Sequence, residues 1–158
     1  MDFQLTEEQQ LIKQNAEDFA KEYCEPIAAE LDRDGRYPEE TIKALADHDY
    51  MGLPYPQEYG GAGADYLSYI LVVEALSKAC ASTGIIYSGH CSLASWPIYK
   101  WGSAQLKEKY LKPMLKGEIL GAFALTEPGA GTDAAAGTCT AVLDGDAYVL
   151  NGTDRKSV

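Results

Sequence analysis

The 158 residues are enough for one domain with a full core, or for one domain and a piece of another. With 46% of them apolar and 23% charged, the balance is that of an ordinary globular chain. A formal net charge of −11 repels phosphate backbones and excludes nucleic acid as a natural partner, and no apolar run reaches the length of a membrane span.

The N-terminal "MDFQLTEEQQ" lacks the basic region and apolar core of a secretory signal. The four cysteines, Cys24, Cys80, Cys91 and Cys139, are irregularly spaced and form no C-x-x-C pair. They read as reduced, mostly buried thiols of a cytoplasmic protein, with no disulfide frame and no metal site.

Thr6 is a good N-cap, and Gln9 completes a capping box ahead of a helix over residues 7–25 that carries Leu11, Ile12, Ala16, Phe19, Ala20 and Tyr23 at helical spacing. Pro26 kinks this helix or starts a new turn, and "DRDG" ends it near Gly35. A second helix opens with Pro38 at its first position and carries Ile42 and Leu45. "MGLPYPQEYGGAGAD" reads as a long ordered loop. Asp65 caps the apolar "YLSYILVVEALSKACAS", and "TGIIYSGHCSLASWPIYKWG" reads as a buried helix that Pro97 bends. Ser103 caps "AQLKEKYLKPMLKGE", in which Leu106, Tyr110, Leu111 and Leu115 are expected on one face.

After Gly117 the pattern changes. "ILGAFALT" is apolar without helical period, and "GTCTAVLDGDAYVLNG" alternates, with turn signals at Asp144-Gly145 and Asn151-Gly152. The expected fold is mainly α: a helical domain of about five or six helices over 1–120, then the first two or three strands of an incomplete β-domain over 121–158. So few strands need something to cover them.

Between the two grammars lies "ALTEPGAGTDAAA". Gly129 to Ala134 fits G-x-G-x-x-A, but a strand-like stretch follows where a dinucleotide fold needs a helix, and no lysine follows for a Walker loop. Glu127 and Asp133 lack further ligands for a metal. What remains is either a decorated hairpin turn or a loop of backbone N–H groups and hydroxyls suited to a flat heteroaromatic ring and its phosphates. His48 reads as a solvated helix cap and His90 as a satisfied core residue. Glu74 is expected at a polar seam or interface, and Trp96, Tyr99 and Trp101 in an aromatic core or subunit contact. Ser88 and Ser92 could face a groove along one helix.

The loop resembles the first signature of the acyl-CoA dehydrogenase family, with Thr126-Glu127, Thr132-Asp133 and the small Ala136 in place. "DFQLTEEQQ", "PQEYGGAGADYLSYILVVEALS", "HCSLASWPIYKWGSAQLKEKYLKPMLKGEILGAFALTEP" and "YVLNG" follow in that family's order, so the resemblance runs from Asp2 to Thr153. It is nearest the short-chain, butyryl-type members. The resemblance implies an N-terminal helical domain, a middle β-domain and a C-terminal helical bundle in a homo-oligomer. It also implies FAD as cofactor, an acyl-CoA substrate oxidised to 2-enoyl-CoA, and an electron-transferring flavoprotein as acceptor.

By the same resemblance Phe123, Ala124, Leu125, Thr126, Gly131 and Thr132 contact the flavin cofactor. Thr132 also reaches the substrate, and Ile86, Gly89 and Leu93 wall the acyl pocket. The pattern departs from the family after Thr153, where Asp154-Arg155-Lys156-Ser157-Val158 stands in place of a Trp-containing strand. The expectation is a truncated N-terminal portion without the catalytic glutamate, inactive by itself, with no catalytic residue assigned. The alternatives are a non-catalytic helical assembly module and a minimal flavin-binding protein.

Overall fold

A computed structural model describes residues 4–155; the N-terminal Asp2 and Phe3 and the C-terminal Lys156 to Val158 of the sequence reading lie outside the described residues. The chain divides into two units, Met1–Ala122 and Phe123–Val158.

The first unit is built from helical rods. Its first rod comprises α1 (Glu7–Phe19), a π-helical stretch (Ala20–Cys24) and α2 (Glu25–Asp34), closed by Gly35. The capping box forms as expected: Thr6 Oγ1 accepts from Gln9 N at 3.2 Å, and Gln9 Oε1 accepts from Thr6 N at 3.0 Å. Then come α3 (Glu39–Asp47), with Pro38 as its N-cap, and two short 3₁₀ turns, Tyr50–Gly52 at the edge of the expected loop and Gln57–Tyr59 inside it. Asp65 caps α4 (Tyr66–Ala79): Oδ1 accepts from Ser68 N at 2.7 Å. Its Oδ2 accepts from Gln9 Nε2 at 2.6 Å, which ties the start of α4 to the start of α1. These donors, Ser68 first, hold the Asp65 carboxyl below its ordinary range.

Two further rods repeat the design of the first. One is α5 (Ala81–Ser88), a π stretch (Gly89–Ser95) and α6 (Trp96–Trp101). The other is α7 (Ala104–Leu106), a π stretch (Lys107–Leu111) and α8 (Lys112–Leu115). In all three rods a proline follows the π stretch by two residues: Pro26, Pro97 and Pro113. A proline cannot donate, and its ring crowds the carbonyl four residues back. Those carbonyls, of Glu22, Leu93 and Lys109, all fall inside a π stretch, where the wider turn makes room. The prolines therefore do not break the rods.

The widened turn also corrects the expected face of the last rod. Leu111 and Leu115 are buried, whereas Leu106 (44% exposed) and Tyr110 lie outside. The wider turn offsets Leu106, before the π stretch, and Tyr110, within it, from Leu111 at its end and Leu115 beyond it.

The main core packs α1, α3, α4 and α5 around Phe19, Leu45, Val72, Leu76 and Tyr87. A smaller cluster gathers Tyr55, Leu111 and Leu115 with Trp96 and Tyr99. Trp96 and Tyr99 thus join an aromatic core as expected, but Trp101 is 74% exposed. Glu74 avoids unpaired burial: it is exposed and pairs with Lys78 one turn on, at 2.7 Å. Cys24, Cys80 and Cys91 are buried free thiols, and burial pushes Cys24 and Cys91 up to about 12, so they stay protonated and inert. Cys139 is the exposed one of the four.

The second unit is a loop and one hairpin. β1 (Thr140–Asp144) pairs antiparallel with β2 (Ala147–Asn151), with Asp144 opposite Ala147. The two-residue turn is Gly145-Asp146, one position later than the sequence signal, with Gly145 at φ 64°. "ILGAFALT" forms no strand among the described residues; its backbone meets no second strand to pair with. Asn151-Gly152 does not turn either. Asn151 ends β2, and Gly152 lies so close to Cys139 that an added Cβ would sit 2.8 Å from the Cys139 Cβ.

Candidate functional site

The loop at 123–139 is organised by one carboxylate. Glu127 and Ala130 close a turn around Pro128-Gly129, each N–H donating to the other's carbonyl, at 3.0 and 3.2 Å. The Glu127 side chain then crosses to the base of β1. Oε2 accepts from Thr138 N at 2.6 Å and from Thr138 Oγ1 at 2.8 Å, and Oε1 accepts from Cys139 N at 2.9 Å. Those donors, the Thr138 amide first, hold the carboxyl below its ordinary range. The sequence reading weighed Glu127 only as a metal ligand. Among the described residues no group of three or more His, Cys, Asp or Glu could hold a metal ion.

Around this staple, Ala124, Leu125 and Thr126 line a small cavity of about 80 Å³ with Glu127, Cys139, Thr153 and Asp154. The Thr126 carbonyl accepts from Arg155 N at 2.8 Å, which leaves its side chain to be used elsewhere. Phe123 and Leu125 are half exposed. Gly131 and Thr132 are exposed beyond the turn and outside this cavity; an added Cβ at Gly129 or Gly131 would meet nothing within 4 Å, so the backbone there is open to approach. A 3₁₀ turn (Ala134–Ala136) and then β1 follow, so the helix of a dinucleotide fingerprint is absent here.

The residues expected along the acyl pocket lie on the middle rod of the first unit. Ile86, Gly89 and Leu93 are one turn apart, the first two half-buried and Leu93 exposed. Gly89 and Leu93 fall in the π stretch, and an added Cβ at Gly89 would meet nothing within 4 Å. The opposite side of that stretch is fixed by hydroxyls and a thiol. Tyr55 donates to the Cys91 carbonyl, the Cys91 thiol to the Met51 carbonyl at 3.4 Å, and Tyr69 reaches Ser88 O and Oγ at 3.4 and 3.3 Å. Ser92 Oγ turns inward to Ser88 O at 2.7 Å, so these serines serve the helix itself.

Of the histidines, His48 is the exposed C-cap of α3, its Nδ1 2.8 Å from Ala44 O. His90 is fully buried: Nε2 lies 3.0 Å from Met114 O, and Nδ1 accepts from Gly121 N at 3.1 Å. Both readings of the histidines hold.

Residues 6–118 match the family model described as "Acyl-CoA dehydrogenase, N-terminal domain". The chain belongs to the acyl-CoA dehydrogenase family. It is 51% identical over 153 residues to the short-chain specific acyl-CoA dehydrogenase of Clostridium acetobutylicum, covering 97% of this chain and 40% of that protein. It superposes on butyryl-CoA dehydrogenase from Megasphaera elsdenii with a TM-score of 0.91 at 42% identity, over 98% of this chain and 41% of that one. An acyl-CoA dehydrogenase complexed with FAD from Bacillus anthracis matches at 34% identity with a TM-score of 0.86, over 94% and 26% of the two chains. The chain thus spans about 40% of the length of the curated relative it matches.

Proposed function

We propose that this chain supplies the helical unit and the flavin-facing loop of an FAD-dependent dehydrogenase that converts short-chain acyl-CoA thioesters to 2-enoyl-CoA. The observation that carries the proposal is the 51% identity over 153 residues to a short-chain specific enzyme, a span that includes the stapled loop.

The residues present fit the cofactor. Leu125 and Phe123 leave apolar surface uncovered beside a threonine, which suits a flat ring with one polar edge. Gly129 and Gly131 leave the backbone open to phosphate. In this reading Phe123, Ala124, Leu125 and Thr126 lie along the ring, and Gly131 and Thr132 lie toward the phosphates, with Thr132 shared with the CoA arm. FAD, when bound, supplies the hydride-accepting chemistry of the α,β-dehydrogenation. Glu127 is not the base: both its oxygens accept backbone hydrogen bonds, and its part is to hold the loop's shape. Ile86, Gly89 and Leu93 form the acyl wall. Gly89 opens it, and Ile86 limits its depth to a short chain. We assign the α-proton to no carboxylate of this chain, and we expect the 158 residues alone not to turn over acyl-CoA. Electrons would pass to an electron-transferring flavoprotein, within a cytoplasmic homo-oligomer.

Grafting residues 1–153 in place of the aligned segment of the Clostridium acetobutylicum enzyme tests the whole reading. The chimera is expected to bind FAD and oxidise butyryl-CoA with an artificial acceptor. A folded chimera that binds no FAD, or that prefers long acyl chains, overturns it. A second reading, an assembly module, is supported by the uncovered apolar residues of the hairpin. In that case the purified chain would be colourless, and its mass in sedimentation would rise with concentration.

A further inference from the structure

Past α8, residues 116–122 form neither helix nor strand and lead to the loop that begins at Phe123. The start of this connector is held by local backbone bonds: Gly117 N donates to Met114 O and Glu118 N to Pro113 O, both at 2.9 Å. Ile119 and Leu120 are then 42% and 43% exposed. The hold at Gly121 comes from a side chain. Gly121 N donates to His90 Nδ1 at 3.1 Å, so that nitrogen carries no proton, and Nε2–H donates to Met114 O at 3.0 Å. One imidazole therefore bridges the last helix and the connector. The fit is close: an added Cβ at Gly121 would run into Met114 Cε and lie 2.5 Å from the Ala94 Cβ.

We propose that His90 is a positioning residue, whose neutral imidazole fixes the connector at Gly121, the last stretch of the helical unit before the loop Phe123–Thr132 in the sequence. Its consequence for cofactor binding rests on the flavin reading above. A neutral ring is needed, because a proton on Nδ1 would face the Gly121 N–H. Burial pushes His90 down to about 4; the Met114 carbonyl opposes this weakly, and no charged group contributes. The ring therefore stays neutral across the ordinary pH range.

Two nearly isosteric variants separate the bonds. His90→Asn keeps an acceptor near the Nδ1 position and loses the Nε2 donor; His90→Gln keeps a donor near Nε2 and loses the acceptor. In the 158-residue chain, Gly121 amide exchange by NMR is expected to stay slow in His90→Asn. In His90→Gln it should quicken about five- to tenfold, the worth of one neutral hydrogen bond, while amides of α4 and α5 are unchanged. Equal Gly121 exchange in the two variants would mean packing alone and overturns the proposal. The wild-type ¹⁵N shift of His90 provides a check that needs no variant. An unprotonated Nδ1 at pH 7, with Gly121 protection lost as the ring titrates, supports the assignment; a protonated Nδ1, or protection blind to the titration, sinks it. FAD titration of the same proteins reads the dependent step, with His90→Gln expected to bind more weakly than wild type. If wild type binds no FAD while Gly121 behaves as stated, the flavin reading fails and the positioning role stands.

Discussion

The helical unit and the hairpin unit solve the problem of apolar side chains in opposite ways. In the first, Leu45 and Leu76 are wholly buried, and the helical period of the sequence matches the face that is covered. In the second, all residues of β1 and β2 are exposed; Leu150 reaches 72%, although the strands pair in full register. A two-stranded hairpin has no second layer to bury a face against. Pairing and burial are thus separable: alternation and a tight turn suffice for the ladder, while the hydrophobic stabilisation must come from whatever covers it.

The sharpest way to break this comparison is to make the same cut in both units. Leu76→Ala is expected to cost about 2–5 kcal/mol in urea unfolding followed by far-ultraviolet circular dichroism, as for other fully buried leucines. Acid comes next, because His90 binds its proton more weakly in the fold than in the unfolded chain. Its contribution is fully present above the unfolded value of 6.5 and is lost as pH falls toward about 4. Up to about 3 kcal/mol of the helical unit's stability should go in that window, and His90→Gln should flatten the profile. Tyr55→Phe removes the hydroxyl that meets the buried Cys91 carbonyl and should lower stability by about 1–3 kcal/mol.

In the second unit the effects are local. Glu127→Gln should speed amide exchange at Thr138 and Cys139 severalfold and leave helical unfolding where it was. Because the Glu127 carboxyl is depressed, its hold is present above the ordinary carboxylate value of 4.5 and fades as pH falls through the folded one. The smallest effect is expected from Leu150→Ala, within about 0.5 kcal/mol, since no packing is lost. A Leu150→Ala cost comparable to that of Leu76→Ala would show that the hairpin is covered in solution.

The helices were legible because their signals are local. Thr6 and Gln9, or Asp65, announce a start within one turn, and the core positions repeat every three or four residues. Pro26 and Pro97 were read as bends and Pro113 was not, and the π stretches before all three left no sign in the sequence. A sequence carries no mark for a turn that gains one residue, so Leu106 and Tyr110 were placed on the wrong face. Asn151-Gly152 looked like a turn because turn chemistry is also what a close approach demands, here that of Cys139. The glycine loop was legible as a loop and through its family likeness. The part Glu127 plays in it was not, since its donors at Thr138 and Cys139 lie more than ten positions on and have no residue type of their own. His90 was legible as buried and satisfied, but not as the tie between two segments.

The π stretches have a consequence for length. Each widened turn lets a rod carry a residue that a plain helix would have to place elsewhere. Deleting one residue from within Gly89–Ser95 should therefore not break the rod but close it into regular helix, turning α6 by about 100° relative to α5. Trp96 would swing away from Tyr66, and Tyr99 from Tyr55 and Tyr59, and the hydroxyl of Tyr55 would lose its carbonyl. In this protein a one-residue indel in those stretches acts as a rotation, and the prolines mark where the chain keeps that adjustable joint.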